Sequence, residues 1–424
     1  MSLTKKNNPF RPNNPIPPGL FAGRLDELSR IEQLLIQLKE ENASNLLILG
    51  ERGIGKSSML LVSNYFAKGE INWINDEKFN FLTVHFNMDP EITQLDIIEK
   101  INNAIQRELG KNQKVLETIK KTWGFLQKVE MGGFKIRENA QKINESEIFT
   151  NFVYSLADTT KKLCKDGFLS EHNILTKKDG IVILIDEADN SNTKLNLGTF
   201  LKNLQESLIV EDCRNVMFIL SGLPKVKDIL LESHKSSLRM FEEMVLSPFG
   251  YEEIKTIYEK GLNKVNEKNP TEETSISKKA MEIMISAAEG YPHFAQQIGY
   301  SVFDLNEDNV ISFETAWSAI RMKGGAIDRI GDRYYYDLYY KKIQEDSYRE
   351  ILNIIAYCDN EWITKKYIKE KYQGKEYILN NGLKALRDRN IIISKKGTTG
   401  IYKLQWVGFG VWIRLFCKKD DPNP

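Results

Sequence analysis

Gly50-Glu51-Arg52-Gly53-Ile54-Gly55-Lys56-Ser57 is a complete G-x-x-x-x-G-K-S run, and its surroundings decide how the chain folds. Before it stands Leu46-Leu47-Ile48-Leu49, an aliphatic run that predicts a short buried strand. After it, Ser58-Met59-Leu60-Leu61-Val62 predicts the opening of a helix. Strand, glycine-rich loop and helix in that order make a phosphate cradle, because glycines let successive backbone N–H groups converge at the positive end of the helix. Gly50, Gly53, Ile54, Gly55 and Ser58 form this cradle, Lys56 reaches the β- and γ-phosphates, and the Ser57 hydroxyl ligates Mg²⁺. The expected ligand is a nucleoside triphosphate with Mg²⁺. A glycine-rich turn that matches by chance would not need the flanking strand and helix.

Working outward, the next strong element is Ile181-Val182-Ile183-Leu184-Ile185-Asp186-Glu187. An unbroken aliphatic run predicts a strand covered on both faces, as in a parallel α/β sheet. Its terminal acids stand where such sheets bind ligands. Asp186 there holds Mg²⁺ through water, and Glu187 polarises an attacking water. Strand-end carboxylates also cap helices; following a phosphate loop in one domain, this pair completes a nucleotide site. Glu187 favours hydrolysis over storage of the nucleotide. Further strands are expected at Phe81–Asn87 and Val216–Gly222, with a short last one at Met244-Val245-Leu246. Helical spacing of Leu28, Ile31, Leu34, Leu35 and Leu38, and a largely helical region from Thr93 to Cys164, separate them. The expected fold is α/β, a doubly wound P-loop NTPase core.

The remaining chain divides by composition. Residues 1–24 carry Asn8-Pro9-Phe10-Arg11-Pro12-Asn13-Asn14-Pro15-Ile16-Pro17-Pro18, which cannot be helix and is expected as an extended arm. Val129–Ile136 alternates around Gly132-Gly133 and predicts a β-hairpin, either projecting towards a ligand in a ring or packed on its domain. Residues 252–320 are helical in pattern, as in a small bundle. Then Ser347–Tyr357, Thr364–Tyr372 and Glu376–Arg389 read as three helices, and residues 391–394 and 401–406 as two strands around a turn. Three helices and a hairpin is the winged-helix arrangement. The aromatic segment Gly408–Phe416 is expected to pack on its core. The domains are thus expected at 1–250, 251–332 and 333–424.

A charged fraction of 28% beside 41% hydrophobic residues is that of a soluble globular protein. A net charge of +1 excludes a uniformly basic coat, so any nucleic-acid surface has to be local. No apolar run approaches the ~20 residues of a membrane helix, and the first residues show no secretory signal. Four scattered cysteines read as reduced thiols, and four dispersed histidines make a zinc site improbable. The expected location is cytoplasmic.

These motifs together resemble the AAA+ ATPases, within them the branch shared by archaeal origin-recognition-like initiators and the signalling ATPases called STAND. The resemblance rests on Asn8–Pro12 leading to Phe21-Ala22-Gly23-Arg24, the phosphate loop, Asp186-Glu187 and Gly290-Tyr291-Pro292-His293. It implies a helical lid and a C-terminal winged helix after the core. It further implies that Ser221 senses the γ-phosphate and that Arg239 is a finger acting on a neighbouring subunit, with Arg214 a weaker competitor. Homo-oligomers with nucleotide at subunit interfaces follow. Pro292 would lie against the adenine; His293 stands where relatives often carry a sensing arginine, a departure because a neutral imidazole lacks the permanent charge. Arg24 either borders the adenine or clasps the structure.

Residues 333–424 hold 18 Lys and Arg against 11 Asp and Glu, a surplus of seven in a chain whose net charge is +1. Lys384, Arg387 and Arg389 fall on the expected recognition helix, and Lys395 and Lys396 at the wing, places suited to phosphate contacts. Two functions stay open: an ATP-driven switch acting on duplex DNA, of initiator, loader or regulator type, or a signalling or defence ATPase whose winged helix docks a separate effector protein.

Overall fold

The computed structural model describes residues 6–71, 77–109, 117, 121–126, 145–165, 177–358, 361–395 and 397–417. The hairpin expected at Val129–Ile136, and Lys396, lie outside the described residues. The chain divides into two compact units. One runs from Pro15 to Ser247, and the other joins the described residues up to Asn14 with those from Pro248 onward.

The first unit is built on five parallel strands, β1 (Asn45–Leu49), β2 (Leu82–Asn87), β3 (Ile181–Asp186), β4 (Val216–Gly222) and β5 (Phe241–Val245), in the order β2-β3-β4-β1-β5. Every residue of β1, β3 and β4 is buried, which is why each carries a continuous apolar run of four residues or more. Alternate side chains sort to opposite faces. Ile181, Ile183 and Ile185 join one core with Ile97 and Ile101 of α3 (Gln94–Leu109), Phe152 and Leu156 of α4 (Glu145–Leu163), and Phe200 and Leu204 of α5 (Leu197–Val210). Helix α6 (Val226–Ser233) packs on α5. Two further helices, Leu25–Lys39 and Lys56–Ala67, pack on each other, and the second lies over β3 and β4. They are α1 and α2 in chain order.

The edge strand β5 is longer than the expected Met244–Leu246, starting at Phe241. Glu242 is half-buried and Glu243 exposed, on opposite faces of the strand, so no aliphatic run announces it. Glu242 is paired with Arg30 of α1, and Glu243 with Lys227 of α6 at 2.8 Å.

In the second unit, α7 (Tyr251–Asn266), α8 (Lys278–Ala288), α9 (Pro292–Leu305), α10 (Phe313–Arg321) and α11 (Ala326–Ile330) pack together, with a two-stranded parallel pair, β6 (Ser275–Ile276) and β7 (Val310–Ile311). π-helical turns follow over Gly331–Tyr335 and Asp337–Lys342. Next come α12 (Asp346–Ala356), β8 (Ile363–Thr364), α13 (Lys365–Lys371), α14 (Glu376–Asp388), β9 (Ile392–Ser394) and β10 (Ile401–Leu404). The three strands form an antiparallel sheet in the order β8-β10-β9. The closing aromatic segment folds as a helix, α15 (Val407–Phe416), packed on α12 and β10. Its Phe409 and Trp412 meet Tyr335 with ring centroids 5.0 and 6.1 Å apart. Gly331 is required there, since a Cβ would lie 1.9 Å from the Trp412 indole nitrogen. Glu289 caps α15, accepting from the N–H groups of Val407 at 2.7 Å and of Gly408.

The proline-rich arm is anchored, not draped. Phe10 is 4% exposed, edge-on to Tyr258 of α7 and Phe303 of α9. Its ring lies in a slot that exists only because Gly261 and Gly299 lack side chains; a Cβ on either would stand 2.6 Å from it. The Asn8 amide donates to the Tyr300 carbonyl at 2.9 Å, and the Arg11 N–H to Gln296 Oε1 at 2.8 Å.

Candidate nucleotide site

The loop between β1 and α2 takes the shape its glycines permit. Gly53 and Gly55 have φ of 80° and 103°, a region that L-residues with side chains disfavour. A Cβ on Gly50 would stand 2.7 Å from the Ile54 side chain. Gly55 is the N-cap of α2, so the free N–H groups of the first turn face the concavity of the loop. Lys56 folds over it, with Nζ donating to the carbonyls of Gly50 at 2.9 Å and Glu51 at 2.8 Å. Burial lowers the Lys56 pKa, opposed by the charges of Asp189, Asp186 and Glu187. A tetra-anionic ligand would add to that opposition.

Parallel register brings the other groups to the same edge. Ile48 and Leu49 pair with Ser221 and Gly222, and Ile185 with Leu220, so Asp186 ends its strand next to Ser221. Asp186 is 6% exposed, and its carboxylate accepts from the Ser221 hydroxyl and from the Glu187 N–H at 2.8 Å. Ser221 is fully buried. Its proton is thus directed at Asp186, which fixes the orientation of that carboxylate. Glu187 is exposed at a φ of 54°, and Asn190 donates to its carboxylate at 3.1 Å. A non-glycine residue in that region carries strain of about 1 kcal/mol or more, typical of positions held for a task.

The set fits a magnesium triphosphate. The glycine cradle leaves room for phosphate oxygens, and a hydroxyl with a carboxylate is the hard-oxygen donor set that Mg²⁺ prefers. Ser57 stands in the first turn of α2, and Ser58 beside it accepts from the Ile16 N–H at 3.1 Å. Arg24 is buried and donates to the carbonyls of Ser247 at 2.6 Å and Ile54 at 3.4 Å, and to Glu27 at 3.1 Å, tying the start of α1 to the loop. Two participants give no motif signal: Asp189, the leading acidic influence on Lys56, and Asn190, which holds Glu187. Only their closeness to Asp186-Glu187 in sequence could have suggested them.

Arg239 is exposed in the turn before β5, and Arg214 precedes β4, paired with Asp212 at 3.5 Å. Both therefore lie at the strand starts, the opposite edge from the phosphate loop, about 15 Å of strand away.

Pro292 and His293 belong to the second unit, where Pro292 opens α9. His293 Nε2 lies 3.2 Å from an Arg333 nitrogen, and its ring meets Tyr334 edge-on at 5.2 Å. Burial, with the Arg333 charge, pushes its pKa down to about 4 from 6.5. The neutral ring accepts from the guanidinium. As pH falls below 6.5 the unfolded chain takes up a proton that the folded one refuses until about 4. Stability that is complete above pH 6.5 is thus lost as the pH falls towards 4. We expect the denaturation midpoint to fall over that window, and His293→Gln to flatten the decline. An identical decline in the variant would remove His293 from the cause.

On α14, Lys384 is exposed, Arg387 lies 3.7 Å from Asp388, and Arg389, just past its end, donates to the Lys342 carbonyl at 3.0 Å. Lys395 lies over the Trp362 ring at 5.8 Å. Among the described residues no helix is long and apolar enough to cross a membrane.

No protein-family model matches the chain, and no curated protein matches it in sequence. Solved structures do. A Walker-type ATPase of Pyrococcus abyssi, 17% identical, aligns over 91% of this chain and 95% of its own with a TM-score of 0.51. The ORC2 protein of Aeropyrum pernix, in ADPNP–ADP complexes, is 13% identical and aligns over 96% of each chain with a TM-score of 0.59.

Proposed function

Because this chain has the AAA+ fold of those archaeal Walker-type and ORC proteins, we propose that it is an ATP-binding and ATP-hydrolysing switch that acts on duplex DNA through a C-terminal winged helix. The observation that carries the ATPase reading is the gathering of Lys56, Asp186, Glu187 and Ser221 at one edge of β1, β3 and β4. The nucleotide complexes of the Aeropyrum protein support it.

In this reading the loop N–H groups and Lys56 bind the phosphates and neutralise them. Mg²⁺, held by Ser57 and through water by Asp186, would offset charge on the β- and γ-oxygens. Ser221 keeps the Asp186 carboxylate in place. Glu187, held by Asn190, draws a proton from the attacking water. The position of Arg239 at the far edge of its own sheet supports a finger that serves a neighbouring copy, and hydrolysis would then depend on a homo-oligomer with nucleotide at subunit interfaces. Residues 251–332 are the lid in this reading, and residues 333–424 the winged helix. The chain works in the cytoplasm.

The DNA reading rests on the exposed Lys384 and the basic wing. It is tested by duplex titration across salt concentrations, with and without ATP. Binding should weaken steeply with salt, and exchanging Lys395 and Lys396 for Ala should reduce the slope by about two. Absence of binding at low salt would instead favour docking of an effector protein. A groove of about 310 Å³, lined by Ile363, Leu404 and Val407 together with Glu361, Lys403 and Arg414, offers such a partner a mixed apolar and charged seat.

A further inference from the structure

Helix α14 carries a stripe that the fold does not explain. Its buried side is Leu379, Gly382, Leu383 and Leu386. Gly382 is accounted for by packing, since a Cβ there would stand 2.6 Å from Ile351 of α12. Immediately before it stand Asn380 and Asn381, both exposed in the middle of the helix. Asparagine disfavours helix interiors, because its amide competes for backbone groups. Neither residue caps an end, and neither has a side-chain hydrogen bond among the described residues. The helix carries two weak formers side by side for no gain in its own stability.

Their surroundings say what they suit. Tyr377, 61% exposed, and Lys384 complete the same outward stripe at helical spacing. The nearest carboxylates are occupied, Glu376 by Lys369 at 2.8 Å and Asp388 by Arg387 at 3.7 Å. The centre of the stripe is therefore neutral and amide-bearing, with cations towards its end and on the wing. An exposed carboxylate would favour cytosine and an arginine guanine, whereas an amide offers one acceptor and two donors. That pattern matches the N6 donor and N7 acceptor of adenine in the major groove.

We infer that α14 reads sequence, with Asn380 and Asn381 selecting adenine-bearing sites while Lys384 and Lys395 hold the phosphates. The inference rests on the DNA reading proposed above. A good bidentate contact discriminates by roughly 5- to 150-fold.

The test is selection of binding sites by the full-length protein with ATP from a randomised duplex library, followed by titration of the selected and a scrambled duplex. Wild type should enrich a motif containing adenine and prefer it by about tenfold or more. The variant N380A/N381A should lose that preference while binding scrambled duplex within about twofold of wild type, because the phosphate contacts are untouched. Alanine is the better helix former, so its thermal midpoint should not fall. Lys384→Ala should weaken both duplexes alike. Enrichment of no motif by a wild type that binds duplex, or the same motif selected by N380A/N381A, would overturn the inference alone. A wild type that binds no duplex at low salt would overturn the DNA reading as well.

Discussion

Glu187→Gln is expected to leave ATP bound and to lower turnover by about 10²- to 10⁴-fold. Glutamine has the size of glutamate and still offers an oxygen to the Asn190 amide, so the turn after β3 should persist. Asp186, Ser221 and Lys56 lie outside the change, and they hold the metal and the phosphates in this account. What the amide cannot do is accept a proton from water. Binding of a fluorescent ATP analogue and steady-state phosphate release separate the two properties. Turnover within twofold of wild type would take the base role away from Glu187. Loss of both properties would point to a structural role in the turn.

Phe10→Ala is expected to cost the second unit about 3–5 kcal/mol, the range for removing a buried Phe from a packed site. Domains of this kind are stable by only about 5–15 kcal/mol, so the fall should be plain in denaturant unfolding. The slot cannot close over the gap easily. It is framed by backbone at Gly261 and Gly299, and its other walls are the Tyr258 and Phe303 rings. Phe10→Leu, which keeps much of the apolar volume, should cost markedly less. A loss below about 1 kcal/mol for the alanine variant, on the scale of a surface change, would mean that the arm is not part of this unit's core.

The candidate nucleotide site was legible because the chemistry it would need constrains both composition and order. The loop needs glycine where φ is positive at Gly53 and Gly55, and β3 needs aliphatic residues because both of its faces are covered. Periodicity likewise gave α1 and the three helices and two strands of the C-terminal part. Edge elements were harder, since solvent on one side lets Glu242 and Glu243 interrupt the apolar pattern of β5. The arm read as extended from its prolines, yet nothing local shows that Phe10 fills a slot made by glycines some 250 residues or more away. Such long-range complementarity leaves no periodic trace. The same holds for Arg24, whose partners Ile54 and Ser247 are set by the fold, and for Glu289 capping α15. Asp189 and Asn190 escaped notice because short polar residues after a strand are ordinary turn formers.

The most direct test of the central claim is a quench-flow mix of the wild-type protein with ATP and Mg²⁺ that follows bound nucleotide and released phosphate together. The account predicts ATP bound in a one-to-one ratio, then phosphate release that requires Mg²⁺. No nucleotide bound at millimolar ATP, or binding with no phosphate released under any protein concentration, would contradict it.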